Sequence, residues 1–220
     1  MAEFLLELYS EEIPHSLQIS AREEIKKNLL KLLEEESIKY KSAEAYSTPT
    51  RLALLVRDLS NEIKIEAKEV RGPRINVPKN IIEGFMKSHQ ITKKDLFEKV
   101  EEKGNLYCFK KIAKIILTEN ILSKLVPKAI ASVNWKKSMR WSNHDLMWGR
   151  PLRSILAIFN NKLLKFDYHH LSSSDGMIIV DNFIDKIKKV KNFNEYESQL
   201  KANKISLKQD DRKNIILKKF

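Results

Sequence analysis

The residues best suited to bind a ligand are arginines set in or beside a series of short motifs. A guanidinium group is planar, permanently charged and carries paired donors, so it suits a phosphate group. Five of the nine arginines of this chain fall in or beside these motifs. In chain order the motifs are Thr48-Pro49-Thr50-Arg51-Leu52-Ala53, Lys68-Glu69-Val70-Arg71-Gly72-Pro73, Glu83-Gly84-Phe85, Ser138-Met139-Arg140-Trp141 and Arg150-Pro151.

The motifs predict contacts with RNA. Gly72 lets another backbone approach Arg71 closely, and Trp141 beside Arg140 offers a ring for an unpaired base. The predicted RNA-contacting residues are Arg51, Arg71, Arg140, Trp141, Arg150 and Arg153. Structural roles are predicted for Thr48, Pro49, Gly72, Pro73, Gly84, Phe85, Met139 and Pro151. Packing is the alternative for the first group as well: Arg140 pairs with a buried carboxylate, Trp141 lies in the core, and Arg71 braces a turn.

Other reactive residue types do not form a recognisable catalytic or metal site. Glu11-Glu12 follows a predicted strand and opens a predicted helix, where the helix dipole alone favours acids. His169 and His170 are adjacent and share no helix face, and no nearby cysteine completes a set with His144. Phosphate-binding glycine loops of the G-x-x-x-x-G-K-[ST] or G-x-G-x-x-G type do not occur. We therefore predict no catalytic residue and no metal ligand.

The charge balance suits a polyanionic partner. The 220 residues carry a net charge of +12 and a pI near 9.6. Most of the basic residues are lysines, and an AT-rich genome explains such an excess equally well. Residues 1–40 carry more acids than bases, so a nucleic-acid face is expected outside the first helix.

The sequence also indicates the cellular compartment in which the protein is expected. The single cysteine, Cys108, excludes an internal disulfide and is expected to be a small core residue. The chain shows neither a signal peptide nor an apolar run long enough to span a bilayer. A cytoplasmic protein without membrane contact is the simplest expectation.

Hydrophobic spacing predicts the elements that position these residues. Leu17, Ala21, Ile25 and Leu29 recur every four residues and predict one long helix with a buried stripe. Further helices are predicted from Thr92 and over residues 118–133, the latter kinked or divided at Pro127. Strands are predicted at residues 4–9, 43–47, 52–59 and 63–67, the last ended by Arg71-Gly72-Pro73. Hairpins are predicted around Lys103-Gly104-Asn105 and Asn160-Asn161.

The order of these elements predicts an α+β fold, with mixed or antiparallel sheets and packed helices. Residues 1–171 are predicted to form an N-terminal α+β domain. Residues 172–185, rich in serine, are predicted to be a linker or boundary loop. Residues 186–220, a basic segment, are predicted to be helical and to begin a further domain.

Taken together, the motifs resemble the β subunit of the bacterial heterotetrameric glycyl-tRNA synthetase. Each motif is weak singly, but five in the family's order are specific, and the resemblance runs from Phe4 to nearly the end of the chain. One departure lies at residues 180–183, where the family's Gly-His-Arg-Phe is replaced and only Phe183 is kept. The family's β subunit is also much longer and continues into further domains.

The resemblance implies a role in joining glycine to its tRNA. In that α2β2 complex the α subunit uses ATP with magnesium to form the adenylate, so no cofactor is expected on this chain. The implied partners are the α subunit and glycine tRNA. A structural subunit-contact module and a truncated remnant without tRNA binding are the alternatives. The first of these predicts an exposed apolar patch.

Overall fold

The protein is described here by a computed structural model, which describes residues 2–65, 67–100, 104–111, 113–181 and 183–218. The helices are α1 (His15–Glu35), α2 (Lys79–His89), α3 (Thr118–Ala131), α4 (Phe193–Ala202) and α5 (Gln209–Leu217). The strands are β1 (Ala2–Ser10), β2 (Ser42–Thr48), β3 (Arg51–Leu59), β4 (Glu62–Ile65), β5 (Lys68–Arg74), β6 (Leu96–Lys99), β7 (Leu106–Lys111), β8 (Lys114–Leu117), β9 (Leu152–Phe159), β10 (Lys162–Leu163), β11 (Asp167–Tyr168), β12 (Leu171–Ser174), β13 (Gly176–Asp181) and β14 (Ile184–Lys189). The α+β prediction is confirmed.

The chain folds into two compact units, one inserted in the sequence of the other. The first unit comprises Met1–Ile63 and Leu117–Phe220, and the second comprises Lys64–Ile116. Strands β4 and β8 pair where the chain enters and leaves the second unit. This division was not foreseen, because nothing in the local sequence marks either end of the insertion.

The first unit is built on a mixed sheet with the strand order β11-β12-β9-β1-β3-β2, and β10 pairs with β9. Strand β1 lies in the middle and runs antiparallel to both β3 and β9. Strand β12 runs parallel to β9. Because β1 and β3 are covered on both faces, nearly all their side chains are buried, as the continuous apolar run of β3 predicts.

Helices α1 and α3 cover one face of this sheet. The α1 stripe of Leu17, Ala21, Ile25, Leu29 and Leu33 is buried, as the spacing predicts. It packs with the alternate residues of β1 that face it, which are Phe4, Leu6 and Leu8. Helix α3 is one continuous element with Pro127 inside it, and the predicted division into two pieces is wrong. Burial of residues on both sides of the proline offsets its missing hydrogen bond.

The β13–β14 hairpin and α4 cover the opposite face. Met177, Ile179 and Phe193 are buried with the residues of β1, β3 and β9 that alternate to this side. Residues 172–185, predicted as a boundary loop, contain most of β12, all of β13 and the start of β14, and α4 of the predicted further domain packs on the same sheet. A domain boundary in this part of the chain stays a prediction.

The second unit pairs β5, β7 and β6 in an antiparallel sheet, with α2 packed against β5. The predicted β6–β7 hairpin is present, although Lys103 of its turn lies outside the described residues. Cys108 is fully buried. Two predictions are wrong here. Thr92 caps only a 3-10 turn, Lys93–Asp95, because Leu96 begins a strand. Strand β5 continues to Arg74, since an irregularity after Arg71 accommodates Pro73.

Candidate nucleic-acid interface

Arg51 lies inside the first unit. Its Nε donates to Glu7 Oε2 at 2.9 Å, and its Nη2 donates to the Ile178 carbonyl. Tyr196 of α4 donates its hydroxyl to the same Glu7 oxygen. Burial raises the pKa of Glu7, and the Arg51 charge opposes that rise. Arg51 therefore joins the sheet to the β13–β14 hairpin, and its guanidinium is turned away from solvent.

The proline-containing motifs hold the connection between β1 and α1. The backbone N–H of Ile13 donates to the Pro49 carbonyl at 2.7 Å. The N–H of Glu11 donates to the Pro151 carbonyl at 2.9 Å. Thr48 lies beside this connection and is buried. Two motifs far apart in sequence thus meet at one turn and fix its backbone.

In the second unit, Gly72 explains why two of the motifs occur together. A Cβ atom on Gly72 would lie 2.7 Å from Phe85 Cε1 and 2.8 Å from the Tyr107 carbonyl oxygen. Glycine is therefore required where α2 places Phe85 against β5. Gly84 differs, because a Cβ there would meet nothing within 4 Å among the described residues. Arg71, next to Gly72, is exposed.

The guanidinium group of Arg153 contacts two carboxylates. Its Nη1 lies 3.4 Å from Glu11 Oε1, and its Nη2 donates to Asp185 Oδ2. The guanidinium carbon lies 5.6 Å from the centroid of the Tyr9 ring. Two carboxylates compensate the charge of Arg153, so this arginine anchors β9 to the β13–β14 hairpin.

Residues 132–151, which we call the basic loop, join α3 to β9 around a tryptophan pair. Trp135 and Trp148 contact edge to face with centroids 4.8 Å apart. The backbones of Met139 and Trp148 bond to each other in both directions, at 2.8 and 3.2 Å. A Cβ on Gly149 would lie 2.3 Å from the Trp135 ring, so only glycine fits. The loop therefore has a fixed conformation although its sequence shows no periodicity.

The outer side of the basic loop carries an excess of cations. Lys136, Lys137 and Arg140 are exposed. Arg140 Nη1 lies 3.5 Å from Asp145 Oδ1, but the two side chains are 63% and 89% exposed, so this ion pair contributes little. The alternative in which Arg140 pairs with a buried carboxylate is therefore wrong. Arg150 is half-buried, with Nη1 3.7 Å from Met139 Sδ.

Three rings from two segments meet, one of them on the residue after Arg140, and we call Trp141, His144 and His170 the ring cluster. The imidazoles of His144 and His170 are stacked, with centroids 3.6 Å apart and planes inclined by 4°. Trp141 contacts His170 edge to face at 5.9 Å. Trp141 is half-buried and also packs against the core. His170 lies in the turn between β11 and β12 and is exposed.

The histidine pair was missed from the sequence, because its members lie in segments that only the fold brings together. Burial lowers the pKa of His170, and the neighbouring His144 and His169 lower it further. Among the described residues, no group of three or more His, Cys, Asp or Glu side chains is arranged to hold a metal ion. Within the same residues, no helix combines the length and apolar character needed to cross a bilayer.

Comparison with known proteins gives consistent matches along the chain. The family model described as glycyl-tRNA synthetase beta subunit matches residues 4–220. The glycine–tRNA ligase beta subunit of Rickettsia prowazekii is 34% identical over 219 residues, which cover 98% of this chain and 32% of that relative. The corresponding proteins of Rickettsia bellii and Rickettsia felis are each 33% identical, over 98% of this chain and 33% of their own length. The chain thus spans about a third of the length of the curated relatives it matches.

Proposed function

Because the chain belongs to the glycyl-tRNA synthetase beta subunit family, we propose that it supports the ATP-dependent attachment of glycine to tRNA without forming the adenylate itself. In this proposal it binds glycine tRNA and assembles with the alpha subunit in the cytoplasm. ATP and magnesium act on the alpha subunit. Its own contribution is to hold the tRNA and to provide a surface for assembly.

The observation that carries the tRNA-binding part is the exposed charge of the basic loop. Lys136, Lys137, Arg140 and the half-buried Arg150 are opposed there by a single exposed acid, Asp145. Lysine and arginine side chains grouped in this way can neutralise the phosphates of RNA and release the counterions bound to them. Arg71 on the second unit is a further candidate contact. Arg51 and Arg153 are bound to carboxylates within the protein, so we assign them to the fold.

The experiment is binding of the 220-residue chain to glycine tRNA at several salt concentrations. Lys136→Ala and Arg140→Ala should each weaken binding, and each should reduce the slope of log affinity against log salt by about 1. Lys31→Ala is the matched control, since Lys31 is exposed on α1 at an i,i+4 distance from Glu35. Equal affinity and slope for all three variants would remove the basic loop from the RNA interface.

The second part of the proposal, assembly with the alpha subunit, is favoured by the β13–β14 hairpin. Phe183 at its turn is fully exposed at 102%, and Ile187 is 72% exposed. Lys186 lies 2.6 Å from an Asp181 carboxylate oxygen, and Lys189 lies 3.4 Å from one of Asp175. Because these acids compensate two of the three lysines of the hairpin, it suits an apolar protein surface better than phosphate. These exposed apolar side chains support a subunit-contact role for the hairpin.

A chain that pairs with the alpha subunit and binds no tRNA would support the subunit-contact function alone. A chain that does neither would be a remnant without tRNA binding. Affinity measurements with the purified alpha subunit and with tRNA, made separately, distinguish these outcomes from the full proposal.

A further inference from the structure

We propose that the ring cluster is a stacking platform for one unpaired base of the bound RNA, with Arg140 and Lys136 holding the phosphates on either side of that base. The inference rests on the proposed tRNA binding and names the part of the RNA that this site receives. It assigns a binding role to His144 and His170, which the sequence patterns left without one.

The geometry of the histidine pair is the first support. Planes inclined by 4° at a centroid distance of 3.6 Å make a parallel stack. Each ring uses one face in this stack, and His170 is exposed to solvent. A flat, partly exposed aromatic surface suits a nucleobase, since every base has a π face that can continue such a stack.

The charge state of the pair is the second support. Two protonated imidazoles at this separation would repel each other. Partial desolvation lowers the pKa of His170, and His144 and His169 lower it further, which favours the neutral imidazole. A neutral imidazole presents a ring to a base, whereas the phosphate-binding charge is supplied by separate residues of the basic loop.

The chemistry selects an unpaired base over a double helix. In an RNA duplex the base faces are covered by their neighbours, and only loops, bulges and ends expose a face for stacking. Arg140 follows Met139 on the exposed side of the same loop, and Lys136 and Lys137 are exposed nearby in sequence. Phosphates that flank a splayed base would meet these cations, as in other single-strand binding grooves.

The test compares two RNAs at one salt concentration: glycine tRNA, and a blunt RNA duplex without unpaired bases. His170→Ala should lower affinity for tRNA on the order of ten-fold, because one base stack is lost. It should leave affinity for the duplex unchanged. His170→Phe keeps a flat ring without its nitrogens and should retain most of the tRNA affinity. His15→Ala, at an exposed histidine that begins α1, is the matched control and should change neither affinity.

Three results would overturn the inference. The first is unchanged tRNA affinity in His170→Ala. The second is an equal loss on tRNA and duplex, which would mean a general effect on the basic loop. The third is a His170→Phe variant as weak as His170→Ala, which would show that the nitrogens matter and not the ring. If the unaltered chain binds no tRNA, the proposed tRNA binding fails and this inference fails with it.

Discussion

Two glycines of the second unit should respond in opposite directions to the same substitution. At Gly72 an added Cβ would lie 2.7 and 2.8 Å from two atoms of the Phe85 ring and 2.8 Å from the Tyr107 carbonyl oxygen. Ordinary contacts between carbon atoms are roughly 3.5–4.0 Å, and the carbonyl oxygen belongs to a paired strand that cannot easily move. Gly72→Ala therefore inserts a methyl group into space that is already filled.

The expected magnitudes follow from this geometry. Overpacking lowers the free energy of unfolding by about 1–3 kcal/mol. Alanine also reduces the entropy of the unfolded chain, which raises the free energy of unfolding by about 0.4–1 kcal/mol. Gly72→Ala should thus destabilise the second unit by roughly 1–2 kcal/mol. Gly84→Ala should stabilise it by about 0.5–1 kcal/mol, because Gly84 is an exposed residue inside α2 with open space around it.

The assay must report on the second unit alone. All three tryptophans lie within residues 135–148, so their fluorescence reports on the first unit. Amide hydrogen exchange of peptides from β5 to β7 measures the second unit directly. Exchange there should become on the order of ten-fold faster in Gly72→Ala and slower in Gly84→Ala. Unchanged or slower exchange in Gly72→Ala would refute the packing argument.

Two further predictions concern the first unit. Arg51→Ala leaves Glu7 buried without its cation and should cost about 3–5 kcal/mol in urea unfolding followed by tryptophan fluorescence. Burial raises the pKa of Glu7, so protonation of this carboxyl favours the folded form. The loss of unfolding free energy in Arg51→Ala should therefore become smaller as the pH falls from 7 through the raised pKa. A loss that stays constant with pH would contradict this prediction. Phe183→Ser should leave stability within about 0.5 kcal/mol but weaken binding to the alpha subunit. Ile19→Ser, at an exposed apolar residue of α1, is its control, and equal binding of both variants would contradict the contact.

Local sequence patterns predicted the structure correctly where the pattern lies within a single helix, strand or hairpin. The four-residue spacing in α1 and the apolar run of β3 predicted which residues are buried, because both depend on a period within one segment. The turn at Asn160-Asn161 predicted the β9–β10 hairpin for the same reason. These elements form three of the seven strands of the central sheet and the longest of the helices that pack on it.

Local sequence patterns did not predict contacts between residues that are far apart in the sequence. Glu7 and Arg51 pair across neighbouring strands, and Tyr196 joins them from near the end of the chain. His144 and His170 likewise come from a loop and from a separate turn. Thr92 carries a helix-capping pattern, yet pairing of Leu96 with Phe109 makes the following residues a strand. In each case a contact that the local sequence does not encode decides the outcome.

The position of β1 between β3 and β9 determines the order in which the protein can be completed during synthesis. The ribosome releases β1 and β3 early, then the whole of Lys64–Ile116, and only later β9. Until β9 emerges, β1 has an unpaired apolar edge of the kind that pairs with other chains. Strands β5, β6 and β7 of the second unit form their own sheet, so their pairing does not require β9. Slow translation before β9 should therefore favour aggregation of the nascent first unit, even though β9 pairs with β1 from Phe4 to Ser10 in the folded protein.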